Sequence, residues 1–311
     1  MQNVIVRIGL LAILLAGAGV GAQAQTALER KVDSLFVIAS SGEIRYQDMV
    51  EPAKEAIAAL GAAAVPRLIE KFTTRSARER WAIVQILEKI GSPAVPDLVE
   101  ALTHPDDRVV ARICWALGTI KDSSATEPLI GVTSHTKWQI RDEAIGALGK
   151  IGDTRGAIVA GAALNDTIGQ VRKAAAVACR RLKLNGYERE LVHQLGDDFY
   201  GARMCAVDAL LELDTGLVIE IIADSAYSAN PLVSNLGCHI LARLGTDAAI
   251  DTLYEIARTD DPELRARAVV ALIEADPDDL CGYHEKLVSR ETDRLVRLKI
   301  ESALHMTRDE R

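Results

Sequence analysis

The chain carries six histidines, at positions 104, 135, 193, 239, 284 and 305, and five cysteines, at 114, 179, 205, 238 and 281. Such residues hold a metal when they recur at ligand spacing, because one turn of loop or helix must present two donors to one ion. These histidines share no such spacing, no cysteines form a Cys-x-x-Cys pair, and only His284-Glu285 forms a His-Glu pair. An odd number of cysteines cannot all pair within one chain. Each lies in or beside an apolar helical pattern, where a thiol serves as a small hydrophobe. One bridge remains open in an oxidising compartment, with Cys179 and Cys205, in neighbouring segments, as its candidates. A phosphate-binding glycine loop, a zinc-protease motif and a Gly-x-Ser-x-Gly elbow are all missing from the sequence. The chemistry-bearing residues therefore point away from an enzyme, and no cofactor or metal is expected.

What the sequence does repeat is a scaffold. Taking Leu148 as a reference, equivalent positions fall at Leu87, Leu117, Cys179, Leu210, Leu241, Leu272 and Leu304, with successive spacings of 30 to 32 residues. Seven residues before these stand Arg80, Arg141, Arg172, Arg203, Arg265 and Arg297, with Val110 and Ser234 as exceptions. Apolar or small residues occupy the positions four and one before it, such as Ala144 and Ala147. Offsets of one, four and seven lie on one helical face. A second apolar position recurs nineteen residues upstream, as Leu68, Leu98, Leu129, Ala160, Leu191, Ile222 and Leu253. It marks a first helix, whose start is punctuated by proline in "AVPRL" (64–68) and "AVPDL" (94–98). Breakers such as "THPDDR" (103–108) and "TDDP" (259–262) separate the two helices, and their aspartates suit helix caps. Composition agrees: 49% of residues are hydrophobic but only 4% aromatic, with alanine and leucine carrying the apolar content. The fold predicted is all-α, built of helical hairpins of about thirty-one residues. Such a hairpin cannot bury its apolar stripe alone, so neighbours must stack. The same phase extends back to Ile57, and nine pairs are expected between residues 27 and 307.

"RDEAIGALGKIGD" (141–153) and "ELRARAVVALIEAD" (263–276) resemble HEAT repeats, of the short type named after phycobilisome lyases. The resemblance implies a right-handed α–α superhelix, a HEAT/armadillo-like solenoid of nine hairpins. A degenerate capping pair is expected over 25–61 and the solenoid over 62–311. It also implies that the arginine ladder serves stacking, with Asp166 beside Arg172, Asp198 beside Arg203 and Asp261 beside Arg265 as expected carboxylate partners. Function is less specific, because one solenoid architecture serves many purposes. Bilin lyases act in the cytosol, and HEAT-type iron hydroxylases need several His-Glu pairs where this chain has one.

Residues 1–24 set the address. MQNVIVR is short and basic, IGLLAILLAGAGVG is apolar, and Ala22-Gln23-Ala24 offers small residues at cleavage spacing. A secretory signal peptide with the mature start at Gln25 is expected, since the apolar run is shorter than the roughly 20 residues that span a bilayer. Loss of Arg7 with this segment takes the formal charge from −8 to −9. An acidic, exported chain does not suit nucleic acid, whose binding rests on a basic footprint. What remains is surface. Second helices usually line the concave face of a solenoid, with exposed slots six and two residues before the reference leucine. Those slots hold Trp81, Trp115, Asp142, Lys173, Met204, Asp208, Asn235 and His239. The expected role is a noncatalytic scaffold of the bacterial envelope, periplasmic or secreted, binding a protein or peptide there without a stable membrane anchor. The alternative is an enzyme or accessory subunit, related to HEAT-type lyases or hydroxylases, that holds a cofactor or metal in its groove.

Overall fold

The computed structural model describes residues 25–213, 215–275 and 291–309. The expected signal peptide (1–24), Cys281, His284 and Glu285 lie outside them. All regular structure among the described residues is helical, with no strand. The chain divides into two compact units, Met1–Ala147 and Leu148–Arg311.

In the first unit α1 (25–39) leads through a 3-10 turn into α2 (Val50–Ala58). Hairpins then follow: α3 (Val65–Lys71) with α4 (Ala77–Ile90), α5 (Val95–Glu100) with α6 (Asp107–Ile120), and α7 (Thr126–Val132) with α8 (Trp138–Ile151), inside which the division falls. The first helices are short. Val65-Pro66 and Val95-Pro96 open α3 and α5, where proline's missing N–H has no partner to lose. The second helices are full-length because both ends are specified. Ser76 accepts from the Glu79 N–H to cap α4, which stops at Gly91 with φ 73°; Asp106 accepts from the Arg108 N–H to cap α6.

The second unit continues the alternation. Its hairpins are α9 (Ala157–Ala162) with α10 (Gly169–Leu182), α11 (Glu188–Gln194) with α12 (Tyr200–Leu210), α13 (Thr215–Ala226) with α14 (Pro231–Leu244) and α15 (Asp247–Ile256) with α16 (Pro262–Ala275). A last helix, α17 (Arg294–Asp309), closes the described chain.

Within each unit the repeat translates directly into packing. In the first, α2 packs on α4 and α4 on α6, while α3 packs on α5. In the second, α10, α12, α14, α16 and α17 pack in succession, and α11, α13 and α15 form the other layer. The chain is thus all-α, a solenoid of stacked hairpins within each unit. Between the layers lie the recurring apolar positions. Leu87, Leu117, Leu148, Cys179, Leu210, Leu241 and Leu272 are at most 1% exposed, and Leu68, Leu98, Leu129, Ala160, Leu191, Ile222 and Leu253 are fully buried. Burial of each large aliphatic side chain contributes about 1.5–3 kcal/mol.

Small residues set how closely second helices approach. A Cβ built on buried Gly149 would stand 2.8 Å from Ala178 Cα and 3.0 Å from its Cβ, both rigid parts of α10. Gly146, one turn earlier in α8, has nothing within 4 Å of that position. Two alanine substitutions in one helix should therefore act with opposite sign. Gly149→Ala should destabilise by about 1–3 kcal/mol through overpacking, and Gly146→Ala should stabilise by up to about 1 kcal/mol through helix propensity. Thermal unfolding of both variants followed by circular dichroism checks the pair.

Candidate functional site

The arginine ladder serves the turns. Its guanidinium groups donate to backbone carbonyls five or six residues upstream, in the loop that closes each hairpin. Arg80 reaches Arg75 O (2.9 Å), Arg141 reaches His135 O (2.9 Å), and Arg172 reaches Asp166 O (2.8 Å). Arg203 reaches Asp197 O (2.5 Å), Arg265 reaches Thr259 O (3.0 Å) and Asp260 O (2.8 Å), and Arg297 reaches Glu291 O (2.6 Å). Carbonyls at a helix end lack intrahelical donors, so each arginine supplies what the turn cannot.

Two rungs also bind the next hairpin. Arg172 grips Asp197 bidentately, with Nε and Nη2 at 2.5 and 2.6 Å, and Arg265 grips Glu291 with both contacts at 3.0 Å. Each carboxylate is completed by a backbone N–H, from Phe199 to Asp197 and from Asp293 to Glu291. The expected partners Asp166 and Asp198 meet Arg172 and Arg203 through their main-chain oxygens. Asp261 accepts from the Glu263 and Leu264 N–H groups, capping α16, while the neighbouring Asp260 carbonyl takes Arg265. A six-residue sequence offset places an arginine over its own turn's carbonyls; a carboxylate fork needs a partner 25 or 26 residues on.

Arginines two positions beyond the ladder slot reach back instead into the preceding hairpin. Arg112, two positions after Val110, donates into the preceding hairpin, to Phe72 O and to Thr74 O. Ser234 is buried and accepts from Arg267 at 3.1 Å, again an arginine of the following hairpin.

The second-helix residues separate by unit. In the first, Trp81 on α4 and Trp115 on α6 meet with ring centroids 5.5 Å apart and planes at 32°. Trp81 is 55% exposed, Trp115 half-buried and Asp142 half-buried on α8. A cleft of about 570 Å³ adjoins the pair, walled by Trp115 and Ile140 and lined by Arg80, Arg108, Arg112 and Lys137. In the second unit, Lys173 lies against the Gly201 turn of α12, and its charge, like that of Asp208, is felt at Cys205. Met204 is half-buried, Asn235 is exposed, and His239 Nδ1 lies 3.2 Å from Glu274 Oε2. The arginine and lysine cleft was not read from the sequence; Arg112 beside the vacant Val110 slot was its signal.

Other chemistry is quiet among the described residues. Cys114, Cys179, Cys205 and Cys238 are free thiols, so Cys179 and Cys205 are unbridged. Burial pushes Cys114 and Cys179 up to about 12 and Cys238 to about 11, far from the thiolate form that reacts. No group of three metal-ligating side chains occurs, and no helix is long and apolar enough to cross a membrane. A second cleft, of about 780 Å³, lies in the second unit around Arg172, Arg189 and Gln194. Gln194 is 2% exposed, donates to Leu164 O at 2.6 Å, and its Oε1 has no hydrogen-bond partner.

Two family models match part of the chain. A family model of HEAT repeats matches residues 95–180, and one of the PBS lyase HEAT-like repeat matches residues 79–104. No curated protein matches the chain. Among solved structures, human deoxyhypusine hydroxylase in complex with glycerol is 20% identical, covering 82% of this chain and 98% of its own, with a TM-score of 0.36. The complex of CpcE and CpcF of phycocyanin lyase from Nostoc is 15% identical, covering 78% and 94%, with a TM-score of 0.42. The Escherichia coli protein YibA is 14% identical, covering 85% and 98%, with a TM-score of 0.49. The family matches support HEAT-type repeats in this chain.

The Arg172–Asp197 fork makes a pH-dependent prediction. Burial alone would raise the Asp197 carboxyl, but Arg172 and the Phe199 N–H outweigh it and hold it below the usual range. Its contribution is therefore present above the unfolded value of about 3.9 and lost as pH falls through its lower folded value. Asp197→Ala should cost about 3 kcal/mol at neutral pH. Thermal melts of wild type and variant should converge as pH drops below about 4.

Proposed function

We propose that the chain is a noncatalytic binding scaffold that takes a protein or peptide on its second-helix face, with Trp81 and Trp115 as the anchor. The observation that carries this reading is the tilted tryptophan pair, Trp81 exposed and Trp115 half-buried at the wall of a cleft. Large aromatic side chains have little to gain on a wet surface unless a partner covers them, and tryptophan dominates interface hot spots. HEAT-type repeats suit the role because stacked hairpins extend a surface one increment at a time. The address we propose is the bacterial envelope, following cleavage after Ala24. A cofactor-holding role, the other class compatible with the sequence, would show as stoichiometric metal or a chromophore on the purified mature protein.

Trp115→Ala removes half of the anchor while leaving the ladder of buried leucines in place. Capture from an envelope extract should fall at least tenfold for the variant, with its thermal midpoint within a few degrees of wild type. Undiminished recovery would remove the tryptophan pair from the binding surface.

A further inference from the structure

The cleft beside the tryptophan pair has a charge opposite to that of the protein around it. The chain carries a net charge of −8, yet Arg80, Arg108, Arg112 and Lys137 converge on one cleft against two carboxylates, Asp107 and Glu143. Arg108 is engaged by Asp106, through contacts of 3.0 and 2.7 Å. Arg80 and Arg112 donate to backbone carbonyls, and neither they nor Lys137 forms an ion pair with a carboxylate among the described residues. The crowding has a cost. Arg112 is pulled below its ordinary value first by burial and then by the charges of Arg80 and Arg108. Like charges held together beside an apolar wall are relieved by an anion, and a carboxylate meets a guanidinium edge with two parallel hydrogen bonds.

We propose that this cleft binds an acidic segment of a protein partner, with an apolar side chain seated on Trp81 and Trp115 and neighbouring carboxylates on Arg80, Arg112 and Lys137. The proposal rests on the scaffold reading above and adds the chemistry of the occupant. A peptide fits better than a polynucleotide because the surrounding protein is acidic: the cationic patch is local, and a long polyanion running beyond it would meet repulsion. Two or three carboxylates clustered around one leucine or phenylalanine match its extent.

A fluorescein-labelled peptide with Asp and Glu flanking a single Leu, and its counterpart with Lys in place of every carboxylate, test this by anisotropy on the full mature chain. The acidic peptide should bind saturably, quench tryptophan emission, and lose affinity steeply as salt rises from 50 to 300 mM. The lysine peptide should not bind. Lys137→Glu reverses an exposed charge with no ion-pair partner among the described residues, so folding is spared; it should weaken the acidic peptide at least tenfold, about 1.4 kcal/mol. Equal binding of both peptides, an unaffected Lys137→Glu variant, or a single-stranded oligonucleotide of equal charge that outcompetes the peptide would each overturn the assignment. If the acidic peptide fails while Trp115→Ala still lowers capture from extract, the scaffold reading stands and the acidic occupant falls.

Discussion

A thirty-one-residue helical hairpin has one apolar stripe and nothing of its own to cover it. That shortage governs the structure. The reference leucine of each second helix and the apolar residue nineteen positions earlier are buried together in hairpin after hairpin within each unit. Burial on this scale is available only when the next copy lies alongside, so stability is a sum over neighbours rather than a property of a single centre. Gly149 and Ala178 show how tightly the requirement binds: at that crossing the helices approach until one side chain must be absent altogether.

Stacking leaves a polar problem, because every hairpin adds a turn whose carbonyls face a crowded junction. In six hairpins the arginine seven residues before the reference position resolves it. Its guanidinium has five donors in a planar fork, so it can satisfy turn carbonyls with one edge and a carboxylate of the following hairpin with another. Arg172 and Arg265 do both. A lysine at the same place would offer a point charge without the fork. At these two rungs the ladder therefore couples the closing of one hairpin to the register of the next.

The helical class, the hairpin unit and the buried positions were legible because they follow from spacing along one chain. Leu87 through Leu272 announce themselves at a constant interval, and a helix has one periodicity that suits them. The ion pairs were less legible. Asp166, Asp198 and Asp261 lie near their arginines in sequence, and short separation suggests a side-chain pair, but the main-chain oxygens of the turn are closer still in space. Asp197 and Glu291 belong to the following hairpin, and their contact depends on how one copy is rotated against its neighbour, which spacing does not encode. Trp81 and Trp115 sit at different offsets from their leucines, so nothing in the repeat says they touch; the crossing of α4 and α6 brings them together.

Departures from the repeat are where a scaffold acquires individuality, since positions that obey it are already committed to packing. Val110 is such a departure. With valine buried in the arginine slot, the guanidinium appears two residues later on α6, reaches back to the turn of the preceding hairpin, and arrives next to Arg80, which already serves that turn. Two arginines then stand where the ladder needs one. Lys137 and Arg108 join them from neighbouring turns, and Trp115, three residues along the same helix from Arg112, supplies an apolar wall. A concentration of positive charge in an acidic protein thus gathers where arginines of two successive second helices and a lysine of the next turn line one cleft. Turn carbonyls use the donors of Arg80 and Arg112 but, being neutral, leave their charge uncompensated, and an anionic partner would offset it.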